Sequence, residues 1–168
     1  MKQLMDHKKE FCKVVERMAG KYGRHEIFTD FCELAALSLR QPFERSEKNE
    51  RAYLDLINRY EPGEQPRFAE LLALTVEALT EQPRDFLGEC FHELELYNQY
   101  KGQYFTPFDI SRMMARISLA GLEEKIRQRG YLELNEPTCG SGGMVIAAAE
   151  EFKARGLNPV NTLFAVAQ

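Results

Sequence analysis

No run of apolar residues in this chain approaches the roughly 20 needed to cross a bilayer, and the N-terminal "MKQLMDHKKEF" has no apolar stretch of the kind a secretory signal carries. Both absences point to the cytoplasm. The four cysteines, Cys12, Cys32, Cys90 and Cys139, form no CxxC pair, and His7, His25 and His92 stand at no ligand spacing with them. That excludes a zinc framework and favours scattered reduced thiols. His92-Glu93 starts like the zinc-protease HExxH, but Leu96 occupies the second histidine position, so these residues read as part of a helix. A basic excess is missing as well: 22 Lys and Arg face 26 Asp and Glu, for a net charge of −4. A protein that grips duplex DNA unaided displaces counterions with a basic footprint, and this chain has none overall. Nor is there an internal repeat or a low-complexity tract.

What the chain does have is helix after helix. Its 168 residues, 44% hydrophobic, suffice for one sizeable domain or two small ones. Phe11, Val14, Val15 and Met18 recur at helical spacing before Gly20 and Gly23. Ile27, Phe28, Phe31, Leu34, Ala35 and Leu39 form a second stripe that stops near Pro42. A third helix starts at Ser46, whose hydroxyl suits a cap, and runs toward Pro62-Gly63. Pro66 suits the first turn of a fourth, where its missing amide costs nothing. Asp85 opens a fifth, "DFLGECFHELELYNQ", ending near Lys101-Gly102. Thr106 and Pro107 begin another, with Ile110, Met113, Met114 and Ile117 as its apolar face.

From about residue 130 the pattern changes. "GYLELNEP" alternates Leu132 and Leu134 like a short strand, "TCGSGG" is a loop, "MVIAAAEEFKARG" is a helix, and "NTLFAVAQ" reads as a second, buried strand. Strand, glycine loop, helix and strand make one βαβ unit. The shift divides the chain into a helical domain, residues 1–100, and a second domain that begins at residue 101 and reaches 168.

A βαβ unit with a glycine-rich first turn ordinarily holds a cofactor at the helix N-terminus, where exposed amides and the helix dipole lie. Gly140 and Gly142 fit the start of the dinucleotide fingerprint GxGxxG, but Val145 stands where its third glycine belongs. Glu136, at the end of the strand, would repel a pyrophosphate. S-adenosylmethionine has no phosphate and carries an ammonium and a sulfonium, which an acid beside the loop favours. The plainer alternative is a tight strand-to-helix turn with Glu136 as a cap.

Taken together, "GQYFTP" and "EPTCGSGG" resemble the adenine-specific DNA methyltransferases of the restriction-modification type, most closely the modification subunits of type I systems. There a Q[FY][FY]TP segment precedes a (D/E)PxxGSGG loop by a few dozen residues, as Gln103 precedes Glu136 here. The resemblance covers residues 85–168. It implies a mainly α protein, with an N-terminal helical domain followed by the start of an α/β Rossmann-like methyltransferase domain that uses S-adenosylmethionine. It also implies that Gln103, Tyr104, Phe105, Thr106, Pro107 and Phe108 close over the methionine end of that cofactor. Glu136, Pro137, Gly140, Ser141, Gly142 and Gly143 would form the loop beneath it. On this reading Thr106 offers a hydroxyl, a helix start offers amides to the carboxylate, and Glu136 accepts from the ammonium. Phe108 departs from the family, which often has a basic residue there.

The same family holds the flipped adenine with an (N/D)PP(Y/F) motif, and this sequence contains none, so no catalytic residue is assigned. "NPVN", Asn158 to Asn161, lacks the second proline and the aromatic, and reads as a turn. The acid that reaches the ribose hydroxyls, roughly 20 residues or more beyond the loop, is absent too. The expectation is therefore the N-terminal piece of a longer, metal-free methyltransferase that meets DNA through its full-length form or a partner. The competing expectation is a binding module whose helical half docks a specificity subunit or a second copy of itself. A generic nucleotide-binding α/β piece comes last.

Overall fold

The structure, a computed structural model, describes residues 6–96 and 105–167. Over those residues it divides into two compact units, one of residues 6–81 and 89–96, the other of 82–88 and 105–167. Described residues are mainly helical, with one two-stranded sheet.

The first unit is built of α1 (His7–Tyr22), α2 (Arg24–Arg40), α3 (Glu47–Ile57), α4 (Pro66–Glu81) and the later residues of α5 (Phe86–Glu93). Asp6 starts α1 by accepting the Lys9 amide at 3.2 Å, and Gly23, at φ 80°, ends it. The stripe read from the sequence, Phe11, Val14, Val15 and Met18, is buried. It packs with Ile27, Phe28, Phe31 and Leu34 of α2 and with Phe68, Leu71, Leu74 and Ala78 of α4 in this unit's core. Leu39, assigned to the same α2 stripe, stands in solvent instead, beside exposed Phe43 in the turn that ends the helix. Ser46 occupies the N-cap of α3 as expected, but its hydroxyl makes no capping bond.

The fifth helix is shorter than its sequence pattern. Glu95 adopts a left-handed φ of 55°; the Leu96 amide returns to the Phe91 carbonyl at 3.1 Å and the Glu95 amide to His92 at 3.0 Å. This is a Schellman stop, and placing a glutamate in its left-handed position costs about 1–2 kcal/mol. Apolar periodicity carries no trace of such an end.

The second unit contains the start of α5 and then α6 (Phe108–Ser118), α7 (Glu123–Arg129), β1 (Leu132–Glu136), α8 (Gly143–Ala154), α9 (Pro159–Thr162) and β2 (Leu163–Ala167). The strands pair in parallel, Leu132 opposite Leu163 and Glu136 opposite Ala167. This is the strand, loop, helix and strand that the sequence pattern described. Its core joins Leu119, Ile126, Leu132, Ala148 and Phe152, with Leu134, Leu157 and Leu163 packed against them.

Two expectations fail here for related reasons. β2 is not buried: Phe164 is 56% and Val166 61% exposed. Leu132, Leu134 and Leu163 share the sheet face that meets the core, whereas Phe164 and Val166 lie on the other face, where Phe164 meets the Tyr131 ring edge to face, 5.4 Å between centroids. On α6, Ile110, Met113, Met114 and Ile117 are all exposed, while Ser111 and Ala115 are buried. α6 packs most extensively against α8, whose start is glycine and whose buried residues include Ala147 and Ala148. Small side chains let two backbones approach, so the small-residue side of α6 faces inward. "NPVN" forms the single turn of α9 rather than a plain turn, with Asn158 Oδ1 accepting the Val160 amide at 3.1 Å.

Among the described residues no helix is long and apolar enough to cross a membrane.

Candidate functional site

The loop between β1 and α8 is shaped by its own residues first. Glu136 Oε1 accepts both the Thr138 amide, at 3.1 Å, and the Thr138 hydroxyl, at 3.0 Å, which folds the chain around Pro137 as β1 ends. The Gly142 amide then donates to the Cys139 carbonyl at 2.8 Å. Gly140 has φ 54° and Gly142 φ 85°, a region an L side chain enters only at a cost. α8 starts immediately, at Gly143. Its N-cap, Gly142, has no side chain with which to cap the first-turn amides.

Opposite the loop runs the chain that enters α6. A β-carbon on Gly140 would stand 3.2 Å from the Phe105 ring, so the aromatic lies directly on the glycine. Pro107 forms the N-cap of α6, its carbonyl receiving the Ile110 amide at 2.9 Å and the Ser111 amide at 3.1 Å. Phe108 is the first helical residue. Between the two segments lies a cavity of about 90 Å³. Phe105, Thr106 and Ser111 line one side, and Thr138 to Ser141, Gly143 and Met144 the other.

Ser111 is fully buried, and its Oγ has no hydrogen-bond partner among the described residues. A buried hydroxyl without a partner costs about 1–3 kcal/mol, so a polar occupant would satisfy it. A single water needs about 10–15 Å³ by the same measure, so the cavity has room for a small polar group.

Of the residues implicated by the sequence, Phe105, Thr106, Gly140, Ser141 and Gly143 come together around this cavity. Pro107, Phe108, Pro137 and Gly142 shape its walls without lining it, and Glu136 sits one turn away, joined to it through Thr138. Gln103 and Tyr104 lie outside the described residues. Two residues were missed. Ser111 gives no signal in a sequence read for hydrophobic period. Asp85 was read only as a helix opener. Its Oδ1 does accept the Gly88 amide, at 2.9 Å, but its Oδ2 accepts the Ser141 hydroxyl from the glycine loop. Among the described residues no cluster of His, Cys, Asp or Glu is arranged to hold a metal ion.

Residues 84–164 match the family model for N-6 DNA methylases. The match takes in Asp85, Ser111 and the whole glycine loop, and supports an adenine DNA methyltransferase family, whose members generally use S-adenosylmethionine. No curated protein and no solved structure matches the chain.

Proposed function

We propose that the second unit is part of a Rossmann-like methyltransferase domain and receives the methionine end of S-adenosylmethionine, within an enzyme that methylates the exocyclic amine of adenine in DNA. The observation that carries this reading is the buried, unpartnered Ser111 hydroxyl, in a small cavity bounded by a glycine loop and an uncapped helix start. A carboxylate there takes hydrogen bonds from the α8 amides and from Ser111, and the positive end of the helix dipole adds to them. Glu136 supplies the countercharge for the ammonium. Gly140 and Gly142 hold a backbone shape that keeps Cβ atoms away from the ligand, while Phe105 walls the cavity and Thr106 adds a hydroxyl. By resemblance Gln103 and Tyr104 complete the segment above the cofactor. When bound, S-adenosylmethionine supplies an electrophilic methyl on its sulfonium.

The adenine amine needs an acceptor, and this sequence has no (N/D)PP(Y/F) motif to provide one. We therefore assign this chain the cofactor half of the site and no methyl transfer by itself. On this reading its domains are a helical one, 1–100, and a methyltransferase one over 101–168. The resemblance of the two motifs to type I modification subunits is part of this proposal. Net charge of −4 fits a subunit that meets DNA through a partner, with the helical domain docking a specificity subunit or a second copy.

Calorimetric titration tests the cofactor reading. S-adenosylmethionine is expected to bind at one site, and NAD not at all. Tight NAD binding, or no heat with S-adenosylmethionine, overturns it.

A further inference from the structure

Asp85 is 5% exposed, and its carboxylate is divided between two elements. Oδ1 accepts the Gly88 amide at 2.9 Å, which caps α5. Oδ2 accepts the hydroxyl of Ser141, 56 residues away in the glycine loop. The space it fills is shaped by two further glycines. A β-carbon on Gly88 would fall on the carboxylate itself, and one on Gly143 would stand 3.3 Å from Oδ2. The carboxylate is thus wedged between the first turn of α5 and the first residue of α8.

A helix cap needs one of those oxygens and neither of the distant contacts. The loop is tied at its start, where Glu136 holds Thr138, and Ser141 is the side chain that ties its middle to another element. The Gly142 amide bonds back to the Cys139 carbonyl at 2.8 Å, and glycines at 140 and 142 raise the entropy lost on ordering the loop. A side-chain bond from the middle of the loop to a buried carboxylate offsets part of that loss before any ligand arrives.

We propose that Asp85 is the positioning residue of the cofactor loop, holding Ser141 so that Gly140 and the α8 amides keep their binding geometry; this rests on the reading of the loop as the cofactor site. Ser141 then serves the loop as an anchor, its hydroxyl proton committed to Asp85 rather than to the ligand.

Three variants of the full chain separate anchoring from capping. Asp85→Ser keeps an N-cap hydroxyl but is too short to reach Ser141. Ser141→Ala removes the anchor and leaves the cap. Asp85→Asn keeps acceptor and donor at full reach. Amide exchange at Gly142 and Gly88, followed by NMR without ligand, is the first readout, and calorimetric titration with S-adenosylmethionine the second.

Asp85→Ser and Ser141→Ala are each expected to speed Gly142 exchange roughly tenfold or more while Gly88 stays protected. The double variant should be no worse than either single. Both should weaken the cofactor by a similar factor, and Asp85→Asn should stay close to wild type in both readouts. Gly142 exchange within twofold of wild type in Ser141→Ala, or independent addition of the two effects, overturns the proposal. If wild type shows the exchange pattern but binds no S-adenosylmethionine, the cofactor reading fails and the positioning role stands. If wild type binds and exchange does not respond, the reverse holds.

Discussion

The Phe105 ring covers Gly140 so closely that a β-carbon on the glycine would stand 3.2 Å from it. Two penalties therefore meet in Gly140→Ala. The φ of 54° costs an L residue about 1–2 kcal/mol, and the ring must also give way. The unfolding midpoint of the second unit should drop by about 5–10 °C in a calorimetric scan, and S-adenosylmethionine binding should fall below detection. Adding Phe105→Ala should relieve the contact but not the strain. A double variant as stable as wild type would show that the backbone at 140 carries no strain.

Ser111 should show the opposite balance of stability and binding. Removing a buried hydroxyl that lacks a partner removes a desolvation penalty. Ser111→Ala is expected to raise or preserve the unfolding midpoint while weakening S-adenosylmethionine roughly 5- to 30-fold. Loss of stability with unchanged affinity would place the hydroxyl in the structure of α6 rather than in the site.

Contrasting elements show how much of this was legible in the sequence. α4 begins at Pro66 and α1 buries Phe11, Val14, Val15 and Met18, as local rules state, because proline geometry and a 3.6-residue stripe are local properties. The βαβ order was legible for the same reason. α7, "EEKIRQR", carries one apolar residue, Ile126, so no period marks it, although that residue is in the core. α6 shows the stronger limit. Its most hydrophobic side is exposed, because what decides its orientation is the close approach that Ser111 and Ala115 allow to α8. The glycine loop was legible, being made of local backbone demands. Asp85 as its partner was not, since the bond spans 56 residues. The signal available was the pair Asp85 and Gly88, an acid followed three positions on by the residue that leaves it room.

In the helical unit, pH offers a separate test. Tyr60 is buried and its hydroxyl donates to Asp30 at 2.7 Å. Burial first, and then that bond, push the phenol well above the ordinary tyrosine value of about 10. The folded state therefore favours the neutral phenol. Its contribution is complete below pH of about 10 and declines above it, as unfolded chains release the proton that folded ones retain. Tyr60→Phe should cost about 1–3 kcal/mol at pH 7, and the gap from wild type should narrow above pH of about 10 in urea unfolding curves. A gap constant to pH 11 would contradict the assignment.

The thiols should rank by environment. Burial pushes Cys32 up to about 11. Cys90 is fully buried and shifted up as it donates to Cys12, and that same bond lowers Cys12. Iodoacetamide at pH 8, read by peptide mass, should label Cys12 ahead of both. Labelling of Cys90 first would mean that the pairing is reversed.

Glu136 allows charge to be separated from shape. Its Oε1 holds the Thr138 amide and hydroxyl at 3.1 and 3.0 Å, and a glutamine oxygen can accept both. Glu136→Gln should therefore preserve the turn, and with it the unfolding midpoint, while removing the negative charge. If that charge faces the ammonium of S-adenosylmethionine, affinity should fall roughly tenfold, the scale of one charge-assisted hydrogen bond. The comparison ligand is 5′-methylthioadenosine, which has the nucleoside and sulfur but no amino-acid end. Its affinity should be unchanged by the substitution. An equal loss for both ligands would move Glu136 away from the ammonium and toward the nucleoside. A loss of midpoint together with affinity would mean that the turn needs the ionised oxygen itself. A tenfold loss confined to S-adenosylmethionine follows only if the acid at the end of β1 and the amides at the start of α8 bind opposite ends of one zwitterion.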